Sequence, residues 1–415
     1  MPSIRIRNIG PIKDTGKIDL ARVTVLIGQQ STGKSTIMKI LCFCCWVEKY
    51  CVTHNNTKWF ASYQHFYKTL KSFHHFQDSF FTPKQSCIDY EGEWYSIRFN
   101  YESNKTNADI RNRHNSPSLH NTKLCFIPSE RNLISSVRNV DAAYKVKAVD
   151  NIFNYILEWD EVKRAYNREH FLPMNFLQGM DFFYDSKNGR EIIRLNSGKE
   201  ITPYYASSGV QSAYSLYVML DYLTSKVFNL NAKFSRKDLG NMLVELLNQE
   251  KLSPEELIER KNQLASIVLQ RMPYRASRVF IEEPEQNLFP SAQVDLIRNV
   301  VRMINSACDQ TGNECSVCIT THSPYIVSAL NLLIQAYDAF NIAAARAVEV
   351  LPKEEMLPFD QVACYFVHEN GSVESITHKE DGIGAIEASS ALDGISDIID
   401  EWMYKFNLIL SEYNA

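Results

Sequence analysis

Along residues 1–27 apolar and polar side chains alternate, as in "SIRIRNIG", "GKIDL" and "RVTVLIG". A two-residue period predicts strands joined by Gly/Pro turns. From Ser35 to about Tyr50 the period becomes that of a helix, and the aromatic, histidine-rich stretch 51–85 keeps helical spacing. "CIDYEGEWYSIRFNY" predicts a hairpin turning at Glu91-Gly92, residues 103–121 a polar loop, "KLCFIP" a strand and residues 139–168 a helix. "MDFFYDSKNGREIIRLNSGKEI" predicts a second hairpin with Asn188-Gly189 at its turn. Helices then dominate to about residue 271, one of them opened by Ser253-Pro254-Glu255-Glu256, a serine cap followed by proline and glutamate. Beyond it the pattern reads strand 278–281, helix 290–309, strand 315–320, helix 323–337, strand 362–367, a turn at Asn370-Gly371 and a closing helix 393–410. Strand–helix alternation at both ends predicts one α/β core interrupted by helical and β insertions.

Composition adds limits. The chain has 415 residues, 45% of them hydrophobic and 22% charged, enough for a large core. A net charge of −4 supplies no global basic field, so any nucleic-acid contact must be a local patch or belong to a partner. The most apolar stretch, Ile37 to Val47, contains Lys39 and is too short to span a bilayer. The N-terminus has no signal-peptide core, and ten cysteines lack framework spacing, so a reducing cytoplasm is expected. Cys42, Cys44 and Cys45 fall on a helix, and Cys315 and Cys318 point to opposite faces of a strand. No second ligand pair lies near either group, so they read as small buried side chains rather than zinc ligands. His54, His65, His74 and His75 likewise read as amphipathic-face residues, because no carboxylate or cysteine recurs with them.

One contiguous motif changes the picture. "LIGQQSTGKST" places Gly28, Gln29, Gln30, Ser31, Thr32, Gly33, Lys34, Ser35 and Thr36 between an apolar strand and a helix. This is the G-x-x-x-x-G-K-S phosphate loop in the context that gives it meaning. Backbone N–H groups and the helix N-terminus would face the phosphates of ATP, Lys34 would reach the β- and γ-phosphates, and the Ser35 hydroxyl would hold Mg²⁺. Far downstream, the run Val279-Phe280-Ile281 ends in Glu282-Glu283 and a proline. Two carboxylates at the buried end of a strand require a cation. Beside a phosphate loop that cation is expected to be magnesium, held by Glu282 through water, with Glu283 activating the attacking water. The glutamate strand is expected to lie next to the phosphate-loop strand.

Two further stretches then become legible. "YYASSGVQSAYSL" resembles the signature of ABC-type ATPases, and "CITTHSPYIV" their switch-histidine segment. The order phosphate loop, signature, "EEPE", "THSP" resembles the ABC/SMC ATPase class. More narrowly it resembles the RecF- and OLD-like branch that includes the ATPase subunits of anti-phage systems such as PARIS and Septu. "IRIRNIGPI", "CFIPSERN" and "YFVHENGSVES" fit that branch too. The resemblance implies an ABC-type P-loop core with an antiparallel β subdomain and helical insertions. Residues 1–50 would begin the core, and 51–135 form an insertion ending at a Q-loop-like strand. Residues 136–271 would form a helical lobe with the signature, and 272–415 complete the core. It implies a homodimer or higher homo-oligomer in which Ser207, Ser208 and Gly209 close over the partner's γ-phosphate. His322 would be the switch residue, Glu130-Arg131 would occupy the Q-loop or form a surface salt bridge, and Glu285-Gln286-Asn287 would touch the partner. The sequence departs from the pattern at Gln30, Glu282, Ala206, Val210, Asn287 and Phe289, which points to slow hydrolysis.

Three roles follow. In the first the chain is the sensor and scaffold subunit of a defence system, controlling a separate effector nuclease of TOPRIM or HNH type. The acids after His322, Glu369, Glu374, Glu380, Asp381, Asp393 and Asp397, are expected in loops and on amphipathic helix faces, with no strand-borne D-x-D that would place a nuclease in this chain. In the second it is a RecF-like repair ATPase contacting DNA through Arg111, Arg113, Arg131, Arg138, Lys145 and Lys147. A transporter ATPase, the third, conflicts with the long stretch between the phosphate loop and the signature.

Overall fold

The structure is a computed structural model of the chain and describes residues 2–54, 56–113, 121–136, 150–177, 179–229, 273–380 and 383–387. Elements are numbered along the chain. Its centre is a six-stranded sheet in the order β16 (Val373–Ser375), β15 (Val362–Val367), β4 (Val23–Ile27), β14 (Glu314–Thr321), β13 (Tyr274–Glu282), β8 (Asn121–Ile127). All neighbours are parallel except β15 and β16. Every residue of β4 is buried, as is most of β14, because helices or strands cover both faces. Val25, Ile27, Val279, Ile281, Cys315, Val317 and Ile319 face one core, whereas Leu26, Phe280 and Cys318 face the other. Cys315 and Cys318 therefore do lie on opposite faces.

The first face is covered by α4 (Asn151–Lys163), α5 (Ser208–Thr224), α6 (Pro290–Thr311) and α7 (Pro324–Val350). The second is covered by α1 (Lys34–His54), α2 (His65–His74) and an antiparallel sheet. That sheet runs β2 (Ile12–Asp14), β1 (Ser3–Ile9), β5 (Cys87–Glu91), β6 (Tyr95–Asn100), β7 (Asp109–Asn112), with β3 (Ile18–Asp19) also on β1. It unites residues from either side of the phosphate loop. Glu48 on α1 fastens it: its carboxylate accepts hydrogen bonds from the Tyr90 hydroxyl at 2.7 Å and the Trp94 and Tyr95 N–H groups at 2.7 and 3.1 Å. Gly92 is required in that turn, since a Cβ there would lie 2.1 Å from the Glu48 carboxylate.

A second antiparallel sheet, β12 (Glu200–Ile201), β11 (Arg190–Arg194), β10 (Met180–Asp185), β9 (Leu172–Met174), supports α5. Glu191 of β11 accepts from Trp159 Nε1 of α4 at 2.9 Å and from the Tyr214 hydroxyl of α5 at 3.0 Å. A last hairpin, β17 (Thr377–Glu380) and β18 (Ile383–Ile386), packs on α7. The expected α/β class is the observed one, a mainly parallel sheet carrying the phosphate loop, with an antiparallel β subdomain and helices on its faces.

Several local expectations need correction. The stretch 51–85 is not one helical segment: α1 ends at His54, α2 covers only His65–His74, and left-handed residues Tyr63, Gln64 and His75 break the path. Residues 103–121 contain β7, which gains its backbone partners from β6 despite a polar sequence. A short helix, α3 (Leu133–Ser136), follows β8, and helix 323–337 runs on to Val350 with a kink at Ala343. Among the described residues α7, not Ile37–Val47, is by length and composition the helix apolar enough to cross a membrane, but Ile326, Val327, Leu330, Leu333 and Ile334 bury its first half in the core. Glu374 and Glu380 stand on strands instead of in loops, as single acids. The helical expectation for 139–168 meets α4, its first part lying outside the described residues, as do Ser253-Pro254-Glu255-Glu256 and the closing helix 393–410.

His74 also differs from expectation. It is a core residue, packed among Phe43, Phe73, Phe76 and Phe126, with no hydrogen-bond partner on either ring nitrogen. Burial, with smaller contributions from Lys39 and His75, lowers its pKa from 6.5 to about 3. The folded chain therefore binds fewer protons than the unfolded one between those values. The stabilisation by neutral His74 is fully present above pH 6.5 and declines as pH falls toward 3. Urea unfolding at pH 7 and pH 5 should show His74→Phe losing about 2 kcal/mol less than the unsubstituted protein over that interval. Equal losses would mean His74 is not buried neutral.

Candidate nucleotide site

The phosphate loop leaves β4 at Gly28, where space for a side chain is missing: a Cβ would lie 2.4 Å from the Val367 carbonyl oxygen at the end of β15. Gln29, Gln30 and Ser31 are exposed at the loop's crest, Ser31 in a left-handed conformation at φ 64°. Thr32 turns inward and donates to the Gln29 carbonyl at 3.0 Å. Gly33 accepts the N–H of Ile37 in the first turn of α1, and Lys34, Ser35 and Thr36 form the helix start. Lys34 is buried and folds back over the loop, donating to the Gly28 carbonyl at 2.8 Å and to the Gln29 carbonyl. Burial lowers its pKa, while Glu283 and Glu285 raise it. Those charges thus lie within electrostatic reach of the loop lysine.

The strand carrying the glutamates is not the neighbour of β4. β14 stands between them, with Thr320 paired to Leu26 on one side and to Glu282 on the other. The expectation of adjacency fails because β14, which ends just before His322, inserts into the sheet. Contact with the loop is restored by α1, which passes over β14. Burial raises the pKa of Glu282, and Lys39, the Ser35 side chain and the Ser129 N–H each lower it. Lys39 Nζ lies 3.8 Å from Glu282 Oε1, and the Ser129 N–H donates to Oε2 at 3.3 Å. Ser35 and Glu282 therefore meet, one strand further apart than expected.

Glu283 leaves the sheet at φ 45°, a backbone conformation that costs a glutamate about 1–3 kcal/mol. Its N–H donates to the Thr320 carbonyl at 2.9 Å, fixing where the strand ends. His322 Nδ1 is 3.8 Å from Glu283 and 3.7 Å from Glu285. Glu285 does not face outward as a partner contact: it is buried and accepts from the Thr321 hydroxyl at 2.7 Å and the His322 N–H at 3.0 Å. It fixes Thr321 and the His322 backbone after the end of β14. Ser323 completes that support by donating to Gln293 on α6 at 2.6 Å.

Around this sheet end five buried side-chain atoms have no hydrogen-bond partner: Glu282 Oε1, Glu285 Oε2, Gln286 Oε1, Thr320 Oγ1 and His322 Nδ1. Buried polar atoms are normally paired, so this cluster calls for polar ligands. The orphaned carboxylate oxygen beside a serine hydroxyl fits a divalent cation with oxygen ligands. The loop amides, with Lys34 beside them, fit a phosphate chain.

The signature residues lie elsewhere on the chain. Ser207 and Ser208 are exposed at the N-terminus of α5, and Gly209 packs on Asn287. Among the described hydrogen bonds and ion pairs none links Ser207, Ser208 or Gly209 to residues 28–36. Asn287 donates its amide to Ser212 Oγ at 3.0 Å, so part of the segment expected to meet a partner is occupied within the chain.

Arg131 is the residue the sequence misjudged most. It makes no surface salt bridge and cannot join a basic strip, being fully buried. Nε donates to the Ser212 carbonyl at 2.9 Å, Nη1 to the Glu282 carbonyl at 2.7 Å and to Pro128, and Nη2 to the Glu283 carbonyl at 2.6 Å. Of the other strip residues, Arg111 pairs with Asp109 and Arg113 donates to the Gly92 carbonyl, while Arg138, Lys145 and Lys147 lie outside the described residues.

No family model and no curated protein matches this sequence. Among solved structures the chain is similar to the SMC head domain from Thermotoga maritima, with 10% identity over 93% of this chain and 97% of that one and a TM-score of 0.35. It is also similar to the recombination mediator protein RecF with ATP, with 12% identity over 90% of this chain and 98% of that one and a TM-score of 0.32. A third is the Smc head domain bound to the C-terminal domain of ScpA from Pyrococcus furiosus, with 10% identity over 97% and 100% of the two chains and a TM-score of 0.35.

A Cβ at position 209 would lie 2.7 Å from the Asn287 carbonyl oxygen. Gly209→Ala should therefore push α5 off the Glu285–Asn287 loop and destabilise the protein by about 1–3 kcal/mol, read as a lower melting temperature. An unchanged melting temperature would show that this packing is looser than described.

Proposed function

We propose that this chain is an ABC-type ATPase that binds ATP with Mg²⁺ and hydrolyses it slowly at sites shared between two copies. In this reading it serves as the sensor and scaffold subunit of an anti-phage defence system that governs a separate effector nuclease of TOPRIM or HNH type. The observation that carries the ATPase reading is a phosphate loop at the sheet end where five buried side-chain atoms lack a hydrogen-bond partner. The resemblance in motif order supports the finer role. The burial of Arg131 removes a member of the basic strip on which the DNA-repair alternative depended.

The loop amides of residues 28–36 would hold the triphosphate, and Lys34 would exchange its hold on the Gly28 and Gln29 carbonyls for phosphate oxygens. Ser35 and, through water, Glu282 would hold magnesium, which when bound supplies positive charge to the phosphate oxygens. Glu283 would orient a water and take its proton as the oxygen attacks the γ-phosphorus and the bond to the β-bridging oxygen breaks. His322, placed between Glu283 and Glu285, would contact the γ-phosphate. The exposed Ser207 and Ser208, with Gly209 behind them, would present the N-terminus of α5 to the γ-phosphate held by the partner copy.

Two substitutions test the reading. Glu283→Gln should lower ATP turnover by about 10²-fold or more and accumulate ATP-bound oligomers in size-exclusion chromatography with light scattering. Lys34→Ala should lose nucleotide binding. Turnover of Glu283→Gln at the native rate would remove Glu283 from the reaction.

A further inference from the structure

Arg131 joins three segments that the sequence keeps far apart. Its guanidinium holds the end of β8 through Pro128, the turn carrying both glutamates through the carbonyls of Glu282 and Glu283, and α5 through the carbonyl of Ser212. Every one of these acceptors is a main-chain carbonyl, so the side chain fixes backbone positions instead of pairing with a single acid. Ser212 is held a second time, its hydroxyl accepting from Asn287. The peptide that aims Glu283 and the helix that begins at Ser208 are thereby locked into one rigid piece.

That piece spans two different reactions. Resting on the proposed function, Glu283 serves the nucleotide held by its own chain, whereas the N-terminus of α5 serves the nucleotide of the partner. We propose that Arg131 is a positioning residue coupling the two ATP sites of a dimer. When the partner's γ-phosphate draws in the start of α5, the shift passes through Ser212 and Arg131 to the Glu282-Glu283 peptide, and Glu283 is aimed in its own site. Loss of that phosphate releases the glutamate again. A guanidinium can do this because its planar fork reaches several acceptors at once. An ammonium has three donors on one small rotatable centre and lacks the rigid spread that fixes these segments relative to one another.

The test compares the unsubstituted protein with Arg131→Lys and Arg131→Met. Arg131→Met removes the buried charge altogether, so it keeps the question open to an answer if the lysine variant fails to fold. Affinity for a fluorescent non-hydrolysable ATP analogue, and ATP turnover against ATP concentration, are measured for each. The expected result is analogue affinity within about threefold of the unsubstituted protein, with kcat lower by roughly tenfold to 10²-fold. The dependence on ATP should change from cooperative to hyperbolic. A folded variant that keeps both kcat and cooperativity overturns the proposal, as does one that loses analogue binding in step with turnover. If the unsubstituted protein neither binds the analogue nor turns over ATP, the ATPase reading itself fails, a result separate from either of these.

Discussion

Three carboxylates, Glu282, Glu283 and Glu285, crowd the carboxyl end of one β-strand, and the structure is organised around keeping them there. Glu282 and Glu285 are buried and Glu283 is partly exposed, so like charges lie close together with reduced hydration. Arg131 answers from below, fully buried and bonded to the carbonyls of the first two. Lys39 stands beside Glu282, and Lys34 lies within reach of Glu283 and Glu285. The protein therefore carries its own cations at the place where the sequence alone asked for a metal. A bound magnesium ion would complete this arrangement, not create it.

The same constraint explains the layering. α1 supplies Lys34, Ser35 and Lys39 to the charged end and, about two and a half turns beyond Lys39, Glu48 to the antiparallel sheet. One helix thus joins the phosphate loop to that sheet. On the opposite face Glu191 ties α4 and α5 to the second antiparallel sheet. Arg131 ties α5 to the glutamates. Two levers, one on each face, meet at a single sheet end.

Contiguity decided what could be read from the sequence. The phosphate loop was legible because its eight defining positions follow one another, as were the hairpins at Gly92 and Gly189, whose turn residues mark them. Glu282 and Glu283 stood out because charge interrupts an apolar strand. Strand order was not legible: nothing local in "CITTHSP" says that β14 inserts between β4 and β13. Nor was the burial of Arg131, since "PSERN" is polar and reads as a surface turn. Only its carbonyl partners, up to 152 residues away in sequence, make burial tolerable. His74 was misread for the converse reason: a histidine at helical spacing looks amphipathic until the phenylalanines of other segments close over it.

A crystal or electron-microscopy structure with magnesium and a non-hydrolysable ATP analogue tests the central claim most directly. The expected density places the triphosphate along residues 28–36, a metal between Ser35 and Glu282, and the Ser208 end of a second copy against the terminal phosphate. Triphosphate bound away from that loop, or a terminal phosphate met by no second copy, would contradict it.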